Sequence, residues 1–315
     1  MKNILKKFSL VTLFQGFVMG IAEIIPGVSG STMALIMGIY DDFIFLLDQI
    51  SQFIKYILKF ILRRVSVVEV KKSFLAINFK FGIVLGLGMV LTLAVLSNVI
   101  TFLLEGYTQY VFAFFFGLVL VSIKIPWKQM SKKGLREFPI LFITFVLAFI
   151  ILGLKPVELD QSPTLPYLFL SGALAICAMV LPGVSGSFIF LILGVYPFVI
   201  SQLKSLTRLE INADGLLSLI VLGFGIVFGF SVFVRFLKVA YKKYTSQLMA
   251  FLIGLMLGSL RVVYPFIEYD PNLSPSLMQK VLPWERDAFE VLLIVVIVLI
   301  AVVVVYLLER VSSKN

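Results

Sequence analysis

The hexamer PGVSGS occurs twice in this chain, at residues 26–31 and 182–187, each time inside an apolar run. The surrounding stretches read AEIIPGVSGSTMALIMGIY (22–40) and AMVLPGVSGSFIFLILGVY (178–196). Proline removes a backbone donor and glycine costs conformational entropy, so the hexamer is a poor helix interior. In lipid, each unsatisfied backbone group costs several kcal/mol. Both copies must therefore be buried in protein or line something polar.

That argument applies only if the surroundings are lipid, and composition says they are. The chain is 60% hydrophobic and 14% charged, with a mean hydropathy of +1.08, against roughly 45–50% apolar for a soluble globule. The apolar runs are long and lack β-barrel alternation, which predicts an all-α polytopic membrane protein. Runs long enough to span lie near 74–96, 109–124, 138–154, 215–234, 246–263 and 288–308. The two hexamer segments, about 8–40 and 166–200, are each an apolar run split by Pro-Gly. A split of that kind is the signature of a re-entrant hairpin or broken helix.

The likeness between the halves extends beyond the hexamer. IVLGLGMV at 83–90 returns as IVLGFGIV at 220–227, and YTQYVFAFFFGLVLVS at 107–122 as YTSQLMAFLIGLMLGS at 244–259, both 137 residues on. The hexamers are 156 residues apart, so the first half carries 19 extra residues between its hexamer and its next span. The excess falls around KYILKFILRRVSVVEVKK and predicts an amphipathic helix on the membrane surface at about 43–64. Three matches in one order mean duplication, with halves of 1–157 and 158–315.

The net charge of +10 reads as a topology signal rather than a nucleic-acid surface, because the basic residues fall between the apolar runs. Lys2, Lys6 and Lys7 precede the first run in the manner of a signal sequence. Cleavage would discard the first hexamer, so the segment is expected to stay, with its N-terminus in the cytoplasm. If each hexamer segment enters and leaves on one side, Arg63, Arg64, Lys71, Lys72, Lys128 and Lys242 fall inside with the C-terminus. Glu105, Glu158, Glu210, Asp214, Glu268 and Glu285 fall outside. Each half then holds a hairpin plus three spans, an odd number, and the two halves are inverted relative to each other.

Histidine is absent and Cys177 is the single cysteine. That excludes His-ligated metals, Ser-His-Asp hydrolysis and any intramolecular disulfide. No cofactor or metal is expected. An inverted pair of re-entrant segments is a transporter layout, and the hexamer suits an anion. Pro26 and Pro182 are expected at the first turn of a half-helix, where a missing donor is harmless. Gly27, Gly30, Gly183 and Gly186 let the backbone come close to a ligand and take φ > 0. Ser29, Ser31, Ser185 and Ser187 add hydroxyls. The half-helices that follow would aim their N–H groups and positive ends at the site. The alternative is that the small residues serve helix packing alone.

Other polar residues carry two readings each. Glu23, whose partner in the second copy is Met179, is either an ion-coupling carboxylate or a group at the hairpin base. Lys124 and Arg261, related by the offset of 137, are either phosphate-attracting gates or helix-end anchors. Arg235 is a topology residue or a headgroup contact. Tyr40 and Tyr196 are expected as interfacial tyrosines. Gly86, Gly88, Gly223 and Gly225 are expected to bring helices into close contact.

The paired PGVSGS, the AE before its first copy and the G-x-Y after each resemble the bacterial polyprenyl-phosphate transporter family (PopT) over essentially the whole chain. The resemblance implies movement of undecaprenyl phosphate from outer to inner leaflet for reuse in cell-wall polymer synthesis; coupling to a proton or Na⁺ is the ion-coupling reading of Glu23. It carries over to Glu23, Pro26, Gly27, Ser29, Gly30 and Ser31, and to Pro182, Gly183, Ser185, Gly186 and Ser187. The family's first copy often ends in glycine, where this chain has Ser31. The residues alone point to an anion, and the resemblance makes that anion a lipid. A small-anion transporter or channel would use the same helix ends. An intramembrane serine hydrolase, suggested by GVSG, lacks a histidine base.

Overall fold

Every expected apolar run becomes helix, and the chain is an all-helical, multi-pass membrane protein. The computed structural model describes residues 10–313 apart from 26, 132, 160, 209, 211, 269 and 271–277. Lys2, Lys6, Lys7 and Pro26 lie outside the described residues. The first half comprises α1 (Leu10–Ile24), α2 (Gly30–Ile36), α3 (Tyr40–Ile61), α4 (Val67–Leu75), α5 (Phe79–Gly106), α6 (Thr108–Ser122), α7 (Lys124–Gln129) and α8 (Glu137–Ile151). The second comprises α9 (Leu165–Val180), α10 (Gly186–Ile192), α11 (Tyr196–Thr207), α12 (Ala213–Lys243), α13 (Thr245–Ser259) and α14 (Ala288–Ser313).

Among the described residues, four stretches are long and apolar enough to cross a bilayer unaided: α5, α6 with α7, α12 and α14. The runs at 138–154 and 246–263 give α8 and α13 of only 15 residues each, about 22 Å at 1.5 Å per residue. That is short of a ~30 Å hydrocarbon core. The two short helices lie against each other. Close packing explains how: a Cβ on Gly254 would sit 2.4 Å from the Leu141 carbonyl oxygen, so the backbones nearly touch.

Two helix pairs make matching contacts. A Cβ on Gly16 would come within 2.1 Å of the Leu85 carbonyl oxygen, and one on its counterpart Gly172 within 2.6 Å of that of Leu222. Gly88 meets Leu13 as Gly225 meets Phe169, so α1 lies on α5 as α9 lies on α12. Gly86 and Gly223 depart from expectation: they face open space, because they lie off the contacting stripe of their helices. Beyond these pairs the halves exchange partners. α6 packs on α14 and α13 on α8, so the second span of each half is paired with the third span of the other.

α3 fills the place of the predicted surface helix, and the 19 extra residues of the first half go into its greater length and into α4. Its early turns rest on protein. Ile44, Leu46, Asp48 and Ser51 are buried, the Ser51 hydroxyl donates to the Ser231 carbonyl at 3.3 Å, and Lys238 of α12 pairs with Asp48. Gln52 adds a second donor to that carboxylate at 2.7 Å. The amphipathic pattern is thus used, over this stretch, against a helix of the other half.

Candidate functional site

Each hexamer forms a turn between a long and a short helical limb. In the first copy, Val28 N–H donates to the Ile25 carbonyl at 3.1 Å and Gly27 has φ of 85°. In the second, Gly183 has φ of 95°. A proline followed by a glycine of positive φ is the sequence of a type II turn. This corrects the place expected for Pro182: it lies in the turn, ahead of Gly183, and not in the first turn of α10. Gly30 and Gly186 are corrected too, being helical first residues rather than positive-φ positions.

The short limbs are seven residues each, and the G-x-Y that follows explains why they stop. Gly38 and Gly194 adopt φ of 64° and 70°. Ile39 N–H returns to the Ala34 carbonyl and Gly38 N–H to that of Leu35, at 2.9 and 3.1 Å. Val195 and Gly194 do the same in the second copy, both at 3.0 Å. This is the Schellman termination, in which a left-handed residue closes the helix end. α10 and α11 then diverge by 115°.

The structure brings the two hexamers together. Gly183 N–H donates to the Thr32 hydroxyl at 2.8 Å, the Ser29 hydroxyl reaches the Met179 carbonyl at 3.4 Å, and the Tyr40 hydroxyl reaches that of Val180 at 3.3 Å. Within each copy the serines pair: Ser29 with Ser31 at 2.6 Å, Ser185 with Ser187 at 2.7 Å. Ser29, Ser31 and Ser185 are buried, whereas Ser187 is exposed. The end of α13 underlies both turns. A Cβ on Gly27 would lie 2.2 Å from Val262, and one on Gly183 2.9 Å from the Ser259 hydroxyl. These turn glycines therefore admit protein, where the sequence reading had a ligand.

Glu23 lies beside the first copy. Its carboxylate accepts the Gly30 N–H at 2.8 Å, so the chain's own anion holds the N-terminal end of α2. Thr32 N–H is used as well, by the Ser29 carbonyl at 3.0 Å. Met179 stands in the corresponding place beside Gly186, 3.4 Å from where its Cβ would be. The two short limbs consequently differ: the α2 end meets a carboxylate and the α10 end a thioether side chain.

The outlying cations turn elsewhere. Lys124 forms an ion pair with Glu309 at 2.8 Å and lies 3.6 Å from the centre of the Tyr306 ring. The Arg261 guanidinium stacks 4.5 Å over Phe149 and donates to its carbonyl at 3.0 Å. Arg235 is exposed on α12. Tyr40, expected at an interface, is 2% exposed and bonded to the other half, while Tyr196 is exposed. Thr32 was not singled out in the sequence, and the bond of Tyr40 to the other half was not legible there. The one available signal for Thr32 was the loss of symmetry after the hexamer, where the second copy has Phe188.

Comparison with known proteins adds the following. Residues 19–281 match the family described as VCA0040-like, undecaprenyl phosphate translocase-like. A polyprenyl-phosphate transporter of Vibrio cholerae serotype O1 (strain ATCC 39315 / El Tor Inaba N16961) is 36% identical over 283 residues, covering 88% of this chain and 86% of the relative. A polyprenyl-phosphate transporter of Staphylococcus aureus (strain NCTC 8325 / PS 47) is 27% identical over 272 residues, covering 83% and 88% respectively. No solved structure matches the chain.

Proposed function

The chain belongs to the undecaprenyl phosphate translocase-like family, and from that premise we propose that it carries polyprenyl phosphate, specifically undecaprenyl phosphate, across the bacterial cytoplasmic membrane. Transport runs from the outer to the inner leaflet and returns the carrier lipid to cell-wall polymer synthesis. Both termini face the cytoplasm, and the two halves are inverted repeats that alternate in exposing the site. A lipid substrate suits such a protein because only the headgroup needs a polar path, while the tail stays in the bilayer.

The observation that carries this reading is the meeting of the two hexamers, joined by the Gly183–Thr32 hydrogen bond. The serine pairs Ser29–Ser31 and Ser185–Ser187 and the starts of α2 and α10 flank that contact. The phosphate is held from the α10 side, where Ser187 is accessible and no carboxylate stands. The α10 end adds roughly 0.3–1 kcal/mol for an anion, and the Ser185 and Ser187 hydroxyls add direct hydrogen bonds to it.

Glu23 supplies the coupling. Its carboxylate, held on the Gly30 N–H, faces the substrate phosphate across the joined turns, and two anions close together repel. A proton or Na⁺ on Glu23 removes that conflict, so ion binding and phosphate binding favour each other. Lys124, Arg261 and Arg235 act in this scheme as helix-end anchors, held by the partners already described or facing outward.

Replacing Ser185 and Ser187 together by alanine should slow lipid transfer at least about tenfold, since a hydrogen bond to a charged group is worth ~1.5–3 kcal/mol. Transfer at the wild-type rate would remove the serines from the site. Glu23→Gln keeps an acceptor for Gly30 and should abolish dependence on the ion gradient. Retained dependence would place the coupling elsewhere.

A further inference from the structure

On the first half, a groove of about 290 Å³ runs between the end of α1, the end of α5 and the start of α6. Its lining is almost wholly apolar and includes Ile21, Ile25, Ile100, Leu103, Tyr107 and Phe114. Three observations together say what would occupy it.

The first is position. Ile25 immediately precedes the hexamer and begins its turn, so the groove ends at the tip of the first hairpin. Ile21, near the end of α1, and Ile25, just past it, both line the groove. Glu23, between them, points to the other side and caps Gly30. A ligand with its charge at the hexamer would thus have an apolar wall beside it at the same depth.

The second is the repeat. The surface of α12 that corresponds to Ile100–Leu104 of α5 is Leu237–Tyr241, by the offset of 137 residues. There a helix of the chain lies beside the matching stripe: α3 reaches α12 through Asp48 on Lys238 and Asp41 on Tyr241, the residues next to Leu237 and Ala240, which correspond to Ile100 and Leu103. The two halves build the same kind of seat. One has a helix of the protein beside it, and the other is open along Leu103, 37% exposed.

The third is chemistry. The open groove is walled by methyl-branched side chains and by aromatic faces, with Tyr107 and Tyr110 at 6.4 Å from each other. Such a wall fits a methyl-branched, unsaturated chain better than it fits a polar group.

We infer that this groove seats the isoprene units nearest the phosphate of a polyprenyl phosphate. The inference rests on the transport reading given above and adds the tail site to it. The phosphate lies at the hexamers and the tail leaves along α1, α5 and α6 into the bilayer. The surface of α12 beside α3 is its counterpart in the second half.

The test uses the full chain in vesicles containing a polyprenyl phosphate that carries a photoreactive diazirine on its phosphate-proximal isoprene unit. After irradiation, adducts should concentrate on the peptides around Ile21–Ile25 and Ile100–Phe114. Excess unlabelled polyprenyl phosphate should reduce them at least fivefold, and a diacyl phospholipid should not. Adducts spread over the lipid-facing helices, or displaced equally by the phospholipid, would overturn the groove as a specific seat. Transfer of the same probe is timed in parallel. Transfer with labelling elsewhere sinks the groove alone, whereas no transfer by the wild type sinks the transport reading beneath it. As a second variant, Leu103→Trp places bulk at a residue 37% exposed, where the core need not rearrange. It should slow transfer at least tenfold, and an unchanged rate would again count against the groove.

Discussion

Thr32→Val isolates the hydrogen bond that ties one half of the molecule to the other. Threonine and valine have nearly the same shape, so the change removes the hydroxyl and little else. Thr32 is fully buried and its hydroxyl accepts Gly183 N–H at 2.8 Å. In the variant that N–H has no acceptor. It also cannot swing to another, because Gly183 is fixed at φ of 95° between Pro182 and the underlying Ser259. Side-chain hydrogen bonds between membrane helices average ~0.6 kcal/mol, since partners usually rearrange. A buried backbone donor left unsatisfied costs more, ~1–3 kcal/mol. The rigid turn puts this case in the second class, at about 1–2 kcal/mol. At ~2–4 °C per kcal/mol for a chain somewhat smaller than this one, thermal unfolding in detergent should fall by about 2–8 °C. The single Cys177, one turn before the second hexamer, reports unfolding through a thiol-reactive dye. Thr32→Ser restores the acceptor and should recover most of the loss. If Thr32→Val and Thr32→Ser melt together at the wild-type temperature, the cross-half bond contributes nothing and the reasoning fails.

Two further predictions concern the packing around the site. Lys238→Met leaves Asp48, 5% exposed, with Gln52 alone. Lys238 is itself partly exposed, so the loss should be about 2 kcal/mol rather than the ~3–5 kcal/mol of a fully buried pair. A double variant with Asp48→Asn should melt above the single one, and equal melting would mean the pair is not coupled. In the loop between α13 and α14, burial and, less strongly, the nearby Arg261 push Lys280 down to about 8 from 10.5. Its folded-state value lies below the unfolded one, so the unfolded chain binds more protons between those limits and stability should rise with pH from about 8 to 10.5. Melting temperatures of Lys280→Met should lose that slope, and an undiminished slope would assign it to other groups.

The sequence was most informative where a residue type has one conformational use. Positive φ at Gly27 and Gly183 followed from Pro-Gly, and the seven-residue limbs end at the glycine of G-x-Y for a local reason. Pro182 was misplaced because a turn and a helix N-terminus both accept proline, and only the position of Gly183 decides between them. Gly30 and Gly186 are helical because their neighbours close the first turn, which composition does not encode. The partners of charged and aromatic groups were not legible. Lys124 meets Glu309 only because α6 packs on α14, and Tyr40 meets Val180 only because the two hairpin tips touch. The pairing of α13 with α8 was hidden for the same reason: periodicity gives a helix its buried stripe but not the helix that covers it. The amphipathic stretch at 43–64 shows the limit clearly, since an apolar stripe reads alike whether lipid or α12 lies against it.

The central claim is that the joined hexamers move a polyprenyl phosphate headgroup through the membrane. The most direct measurement times leaflet-to-leaflet transfer of a polyprenyl phosphate probe by the purified full chain in liposomes, with chloride and inorganic phosphate flux read on the same vesicles. Fast lipid transfer without small-anion flux, lost in the Ser185→Ala, Ser187→Ala variant, is the predicted result. Small-anion flux without lipid transfer would contradict the account, leaving the two hexamers in place but giving them a different cargo.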